Sequence, residues 1–237
     1  MTRDPNQSRP TPRLSIVIPA LDAAAVLGAT LESLAQGAAR LPAEILLVDG
    51  GSRDATRAIA IAHGARVIAA EANRGAQLAA GAEVGAAPWL LFLHADTLLE
   101  PGWEREVDRF IAPPANHRRA AAFRLAFDDE SAAARRLERL AAWRGRALGL
   151  PYGDQGLLIA RPFYRSLGGY RPLALMEDVE LVRRVGRRRL VFFASRAVTS
   201  AARYQEGGWL LRPLRNLLCL TLYFLGVPPR LIARLYA

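Results

Sequence analysis

The sequence predicts an α/β fold, with a mostly parallel sheet flanked by helices and a C-terminal helical tail. Three observations carry that expectation. Short apolar runs alternate with alanine- and leucine-rich stretches of helical spacing. The links between them are short, as in successive βαβ units. Acidic residues stand at or just past the ends of the apolar runs, where an open parallel sheet has its ligand crevice.

The elements follow in order. Leu14 to Ile18 (LSIVI), closed by Pro19, has the pattern of a strand buried on both faces. Residues 23–36 follow with helical spacing. Glu44 to Val48 (EILLV) gives a second strand that ends at Asp49. A helix over 54–62, a strand over 66–70 and a helix over 75–87 come next. Trp89 to Leu93 (WLLFL) is a fourth strand, and it runs directly into His94-Ala95-Asp96. A further strand is expected at Leu157 to Ala160. At 237 residues the chain fits one large α/β domain, placed at 13–205. Residues 1–12 are polar and proline-rich without an apolar stretch, so they are expected to be disordered and not a signal peptide. Residues 206–237 are expected to form an amphipathic helical segment.

Charge and composition exclude several classes. The formal charge is +10, and all 32 basic residues are arginine. They do not gather in one block with interleaved aromatics, so nucleic acid is not an expected partner. With no lysine, Schiff-base chemistry and a P-loop are excluded. The single cysteine, Cys219, precludes an intramolecular disulfide and suits a reducing cytoplasm. His63, His117 and Cys219 lack neighbours at metal-ligand spacing and read as structural.

Asp22, Asp49 and Asp96 follow the first, second and fourth strands. One such acid is ordinary. Three on one sheet edge converge on a crevice suited to sugar hydroxyls, a nucleobase edge or a hard metal ion. In VDGGSRDAT (48–56), Gly50 and Gly51 permit a tight turn, and Ser52 or Asp54 is placed to cap the next helix. Ser52, Asp54 and Thr56 read as a plain βα loop with a helix cap in preference to ligand contacts, whereas Asp49 reads as a ligand contact. No GxGxxG is present, so dinucleotide binding is not expected.

SIVIPALD, VDGGSRDAT, NRGAQLAAGAE, FLHADT and MEDVELVRR, in that order over residues 14–186, resemble the family 2 glycosyltransferases of GT-A (Rossmann-like) fold. HADT together with GDQG (153–156) is similar to a small bacterial subgroup labelled as selenium- or arsenosugar-associated. The resemblance implies a nucleotide-diphosphate sugar donor, with UDP favoured, and an unidentified acceptor that is a small molecule or lipid-linked. Pro19, Ala20 and Asp22 would lie on the donor side, although Asp22-Ala23 stands where the family often has Asn-Glu. Asp49 would contact uracil or ribose, with Ser52 in the same loop. Arg74 and Gly75 would lie near the donor, where an arginine pairs with phosphate. His94-Ala95-Asp96 occupies the place of the family's DxD triplet. Asp96 would hold Mg²⁺ or Mn²⁺ against the diphosphate, and His94 replaces the carboxylate that touches ribose. Arg203 lies where processive relatives carry an arginine–tryptophan motif, but here tyrosine follows and Ser200 replaces that motif's glutamine.

The Glu177-Asp178 pair corresponds to the family's ED motif, which implies Asp178 as the base of an inverting transfer. By itself the pair also reads as an acidic helix start. Gly168-Gly169 would turn the chain toward the donor, and Arg183 and Arg184 would reach phosphate or stay solvated. Gly153, Asp154 and Gln155 read as an acceptor-side loop or as an exposed turn. A nucleotidyltransferase would need a basic glycine-rich loop after the first strand, and PALDAAAVLG offers none. A sugar-nucleotide binder without catalysis is the other alternative. The tail from Trp209 has four arginines and no acid. Its apolar run at 217–227 is too short to span a bilayer. Two helices, broken at Gly226 and Pro228-Pro229, are expected. They would lie on an anionic membrane surface, or pack on the domain or on a second copy as a homodimer. The expected location is the cytoplasm, free or peripheral on the inner face of the membrane.

Overall fold

The computed structural model describes residues 11–38, 40–173 and 175–236, with the backbone alone for 203, 206 and 236. Most of the expected disordered start therefore lies outside the described residues. The first half alternates as the apolar runs predict: β1 (Leu14–Ala20), α1 (Ala24–Ala38), β2 (Ala43–Asp49), α2 (Thr56–Ala62), β3 (Arg66–Ala69), α3 (Arg74–Val84) and β4 (Trp89–Phe92). Every residue of β1 and β4 is buried, which is why these strands read as unbroken apolar runs. Helix α3 lies close on β1 and β2 because Gly81 has no side chain; a Cβ there would press on Val17 and come within 2.9 Å of Val48.

The second half contains β5 (Thr97–Leu99), α4 (Trp103–Ile111), β6 (Ala120–Phe127), α5 (Ala132–Leu148), β7 (Leu157–Ala160), α6 (Arg161–Ser166), α7 (Glu177–Val185) and β8 (Leu190–Thr199). The eight strands form one sheet in the order β3-β2-β1-β4-β7-β6-β8-β5. Pairing is parallel throughout β3-β2-β1-β4 and between β6 and β8, while β7 and β5 run against their neighbours. Because Ala20 is in register with Asp49 and Phe92 with Leu157, the ends of β1, β2 and β4 and the start of β7 share one edge. That edge carries the candidate site.

Two helix boundaries differ from expectation. α3 stops at Val84 because Gly85 is extended there and the Arg161 guanidinium donates to the Ala82 and Ala87 carbonyls. α2 starts at Thr56 after an Ala55 cap whose methyl side chain makes no bond; Asp54, one residue earlier, accepts from the Thr56 amide at 2.9 Å. The tail folds as α8 (Ala202–Gly207), α9 (Leu211–Phe224) and α10 (Pro229–Tyr236), with the break where Gly226 and the proline pair predict it. Cys219, Leu220 and Ile232 are buried in the main core, while Leu211, Leu214, Leu217, Leu218 and Leu235 are exposed. Among the described residues, no helix is long and apolar enough to cross a membrane.

Candidate active site

The loops after β1 and β2 are tied together. The Ser52 hydroxyl accepts from the Asp22 amide at 2.9 Å, and Asp22 Oδ1 accepts from the Arg53 amide at 2.8 Å. Asp22 takes φ of +49°, in the left-handed region that aspartate tolerates better than most side chains. Asp54 Oδ2 accepts from Ala24 N at 2.9 Å and Oδ1 from Thr56 N at 2.9 Å, so one carboxylate meets the first turns of both α1 and α2. These bonds, with the Thr56 hydroxyl first, hold the Asp54 carboxyl below its ordinary pKa. The Thr56 hydroxyl also accepts from Ala23 N at 2.8 Å.

Asp49 is 2% exposed, and its carboxylate accepts from the amides of Ser52 (3.1 Å) and Gly51 (3.3 Å). Arg57 Nε lies 3.7 Å away. Asp49 therefore shapes its own loop at the end of β2. Pro19 and Ala20 are buried inside β1, and the Ala20 carbonyl accepts from Gly50 N at 2.8 Å. Gln77, inside the NRGAQLAAGAE stretch, donates from Nε2 to Ala20 O (2.9 Å) and Val48 O (2.8 Å). It closes the gap between the ends of β1 and β2. A glutamine inside an otherwise small and apolar helix face is the signal that could have marked it.

The second half of the site forms around the turn that follows β4. Gly153 fits against His94, and a Cβ there would lie 2.5 Å from Nε2. Gly153 N donates to Asp178 Oδ2 at 2.7 Å, and Val179 N donates to Oδ1 at 2.7 Å. The GDQG segment is thus bonded to the ED pair. Gln155, 1% exposed, donates to Phe123 O (2.9 Å), and its Oε1 accepts from Tyr152 N (3.4 Å) and Arg144 (3.3 Å). The Arg144 guanidinium also lies 3.4 Å over the Tyr152 ring.

Asp154 Oδ1 is buried without a hydrogen-bond partner. Burial pushes its carboxyl up to about 6; Arg144 opposes this, and the charges of Asp178 and Asp96 add to it. Asp96, Asp154 and Asp178, far apart in the chain, therefore share one electrostatic environment. Asp154 looks partly open by its whole-residue surface. The enclosed, unpartnered Oδ1 is what sets its chemistry.

Glu177 is 2% exposed, with Arg74 Nε 3.7 Å from its carboxylate. Burial first, and the Asp178 charge second, raise its carboxyl to about 7. The approach to this pair is held by α3. Gly75 N donates to Leu173 O at 3.2 Å, and a Cβ at Gly75 would collide with the Arg171 carbonyl. Gly168 and Gly169 turn the chain at φ +83° and +65°, and Met176 enters α7 at φ +66°. A non-glycine residue in this region, directly before the Glu177-Asp178 pair, marks backbone strain.

Arg184 does not reach toward phosphate. It binds Glu180 and donates to the Leu167 and Gly169 carbonyls, fixing the turn before α7. Arg183 lies over the Phe224 ring at 4.8 Å and so meets the tail. Arg203 is on α8, but its side chain is outside the described ones. A cavity of about 20 Å³, room for one water molecule, lies among Leu78, Phe92, His94, Tyr170, Glu177 and Asp178.

Among the described residues, no three His, Cys, Asp or Glu side chains are grouped to hold a metal by themselves. Mg²⁺ and Mn²⁺ bound to a diphosphate need only one or two carboxylates, with phosphate oxygens and water completing the shell. Asp96, and Asp154 with its unpartnered buried oxygen, fit that requirement.

The sequence pattern described as "Glycosyl transferase family 2" matches residues 15–150. None of the curated proteins matches the chain by sequence. The fold is similar to S. aureus TarS 1–349 (12% identity, TM-score 0.61, 88% of this chain and 64% of that one). It is also similar to the mannosyltransferase PcManGT of Pyrobaculum calidifontis in complex with GDP-Man and Mn²⁺ (13%, TM-score 0.65, 86% and 60%). A third likeness is to the Mycobacterium tuberculosis glucosyl-3-phosphoglycerate synthase with Mn²⁺, UDP and glucosyl-3-phosphoglycerate (18%, TM-score 0.61, 92% and 81%). The chain spans less than two thirds of TarS 1–349 and 39% of the longer TarS chain. At these identities the structures establish a shared GT-A architecture, and the family match covers more than half of the sequence. The chain belongs to glycosyl transferase family 2.

Proposed function

We propose that the protein transfers a sugar from a nucleotide-diphosphate donor, a UDP-sugar in the first instance, to an acceptor hydroxyl with inversion at the anomeric carbon. What supports this reading is the bonding of the Gly153–Gln155 segment to the Glu177-Asp178 pair, with the buried Asp154 Oδ1 in the same segment and its carboxyl raised by burial and by the charges of Asp178 and Asp96. Asp178 is the base. Gly153 N–H fixes Oδ2 and Val179 N–H fixes Oδ1, so the carboxylate is aimed before substrate arrives and keeps lone pairs for the acceptor proton. Glu177, with its carboxyl raised to about 7, holds its proton over most of the acid range. A second full negative charge is thereby kept away from the base and from the diphosphate. Mg²⁺ or Mn²⁺, when bound, would neutralise charge that grows on the leaving diphosphate. Asp96 would hold it, with Asp154 beside.

On the donor side, the tied loops with Asp22, Asp49 and Ser52 would form the floor for the nucleotide, and Arg74, 3.7 Å from the Glu177 carboxylate, would turn to the phosphate. His94 faces the same turn. The acceptor enters past Gly153–Gln155. The HADT and GDQG motifs support a place in the selenium- or arsenosugar-associated subgroup, for which an acceptor screen is the test.

A thermal-shift screen of UDP, GDP and their sugars, with and without Mn²⁺, tests donor binding, since a ligand stabilises the fold by its occupancy. Uridine compounds with metal should raise the melting temperature, and no shift with any nucleotide would defeat the proposal. Asp178→Asn should keep that shift and lower turnover by about 10²–10⁴-fold. A binder without catalysis would show the shift and no turnover in either form.

A further inference from the structure

We infer that α5 and the tail form one docking face for an anionic lipid bilayer, with a groove of arginines on α5 receiving the phosphate headgroups. The docking stands without the transferase reading; only its consequence, an acceptor presented at the membrane, rests on that reading. The groove has a volume of about 930 Å³ and is lined by Arg124, Arg135, Arg136, Arg139, Arg146 and Arg187. Its one acid, Glu138, is engaged: it accepts from Phe127 N and from Arg135, each at 2.9 Å. The acids just before α5 are also spoken for, Asp128 by Ala201 N (2.6 Å) and Asp129 by Ser131 N (2.7 Å) and Gln205 (2.8 Å); Glu130 is exposed.

The helix is divided along its length. Ala134, Ala141 and Gly145 are buried toward the sheet, and Gly145 lets the Phe192 ring approach. Arg136, Arg139, Leu140, Trp143 and Arg146 point the other way at helical spacing. Leu140 and Trp143 are each 60% exposed. A water-soluble polyanion would use the arginines but gives no account of an open tryptophan and leucine between them. A bilayer interface uses both, because headgroup phosphates meet guanidinium groups while the rings and leucines enter the acyl boundary.

The tail continues this face. Trp209 stacks on Tyr204 at 5.5 Å and meets the Phe127 ring edge at 5.8 Å, in a cluster that includes Ala134 and Leu137 of α5. α9 therefore starts beside α5, with Leu210 and Leu211 77% and 73% exposed. Arg230 and Arg234 are exposed on α10, and the tail has no acid from residue 209 onward. On its other side α5 holds the acceptor loop, since Arg144 donates to Leu150 O at 2.8 Å and to Gln155. One helix thus separates the proposed lipid surface from the Gly153–Gln155 entrance.

The test uses the full chain and vesicles of phosphatidylcholine, with or without phosphatidylglycerol. Sedimentation should occur with the anionic vesicles only and fall as salt rises. The triple variant Arg136→Gln, Arg139→Gln, Arg146→Gln should bind about a hundredfold more weakly, at roughly fivefold per basic residue. Brominated lipid should quench wild-type fluorescence more than that of Trp143→Phe. Equal partitioning of the triple variant and wild type, quenching that Trp143→Phe leaves unchanged, or binding to RNA in place of vesicles would each overturn the inference. So would binding that only a Leu217→Ser, Leu218→Ser variant loses, since that would assign the contact to the tail alone. Melting curves establish that each variant is folded. A nucleotide-dependent melt shift retained by the triple variant separates this outcome from the fate of the transferase reading.

Discussion

Glu177→Gln should flatten the chain's pH-dependent stability between about pH 4.5 and about pH 7. The wild-type carboxyl moves from 4.5 to about 7 on folding, because a side chain that is 2% exposed is ionised at a cost and Asp178 adds like charge. The folded state then binds more protons than the unfolded state within that window, so stability falls as pH rises. The favourable contribution is whole below about pH 4.5, declines through the window and is gone above about pH 7. At about 1.4 kcal/mol per pH unit, the full difference amounts to about 3 kcal/mol. Arg74 at 3.7 Å steadies the charged form, and the rise to about 7 is what remains after its effect. Glutamine keeps the shape and cannot ionise. The variant should therefore match wild type near pH 4.5 and exceed it at pH 8, by roughly 6–12 °C in melting temperature for a chain of this length. Thermal melts of both proteins across roughly pH 5 to 9 measure this directly. A wild-type to variant difference that stays constant with pH would refute the buried-acid argument, and a variant less stable at pH 8 would reverse it.

Three further perturbations test other parts of the site. Asp96→Ala should raise the Mn²⁺ concentration needed for half-maximal nucleotide-induced melt shift by at least about tenfold, the loss seen when metal partners are removed; an unchanged titration would place the ion elsewhere. Gly75→Ala forces a Cβ into the Arg171 carbonyl, so the 171–173 segment must move. It should cost about 1–3 kcal/mol in urea unfolding and lower turnover about a hundredfold through displacement of the Glu177-Asp178 pair. Arg184→Met removes one of the two arginine partners of Glu180, leaving Arg171 at 3.2 Å, and frees the Leu167 and Gly169 carbonyls. It should destabilise the fold by about 1–3 kcal/mol, as measured by the denaturation midpoint at constant slope.

The sequence made some of these features legible and concealed others for definite physical reasons. β1 to β4 could be read because strands buried on both faces leave unbroken apolar runs, and the acids beyond them mark the open edge. The antiparallel insertion of β7 between β4 and β6 could not be read, since apolar character carries no information about direction. Helix α5 was hidden because its buried face is alanine and glycine while its larger apolar residues, Leu140 and Trp143, face outward. Asp54 could be seen as a capping residue, but its second partner, Ala24, is 30 positions away. For Arg184 the choice between phosphate and solvent omitted the buried bonds to Glu180 and two carbonyls that it makes. Asp154 was visible as part of GDQG, but only three dimensions bury its unpartnered oxygen and expose its carboxyl to the charges of Asp178 and Asp96.

The cross-bonding of the loops after β1 and β2 has a bearing on engineering. Each loop supplies the groups that satisfy the other's backbone: Ser52, Asp54 and Thr56 serve residues 22–24, and Asp22 serves Arg53. A graft that replaces one loop from a relative with different nucleotide preference would orphan several amides at once and fail as a fold before its selectivity could be assayed. Transplanting both segments as a matched cassette preserves the reciprocal bonds. Under the donor placement proposed above, that cassette is the unit to exchange when redirecting base specificity.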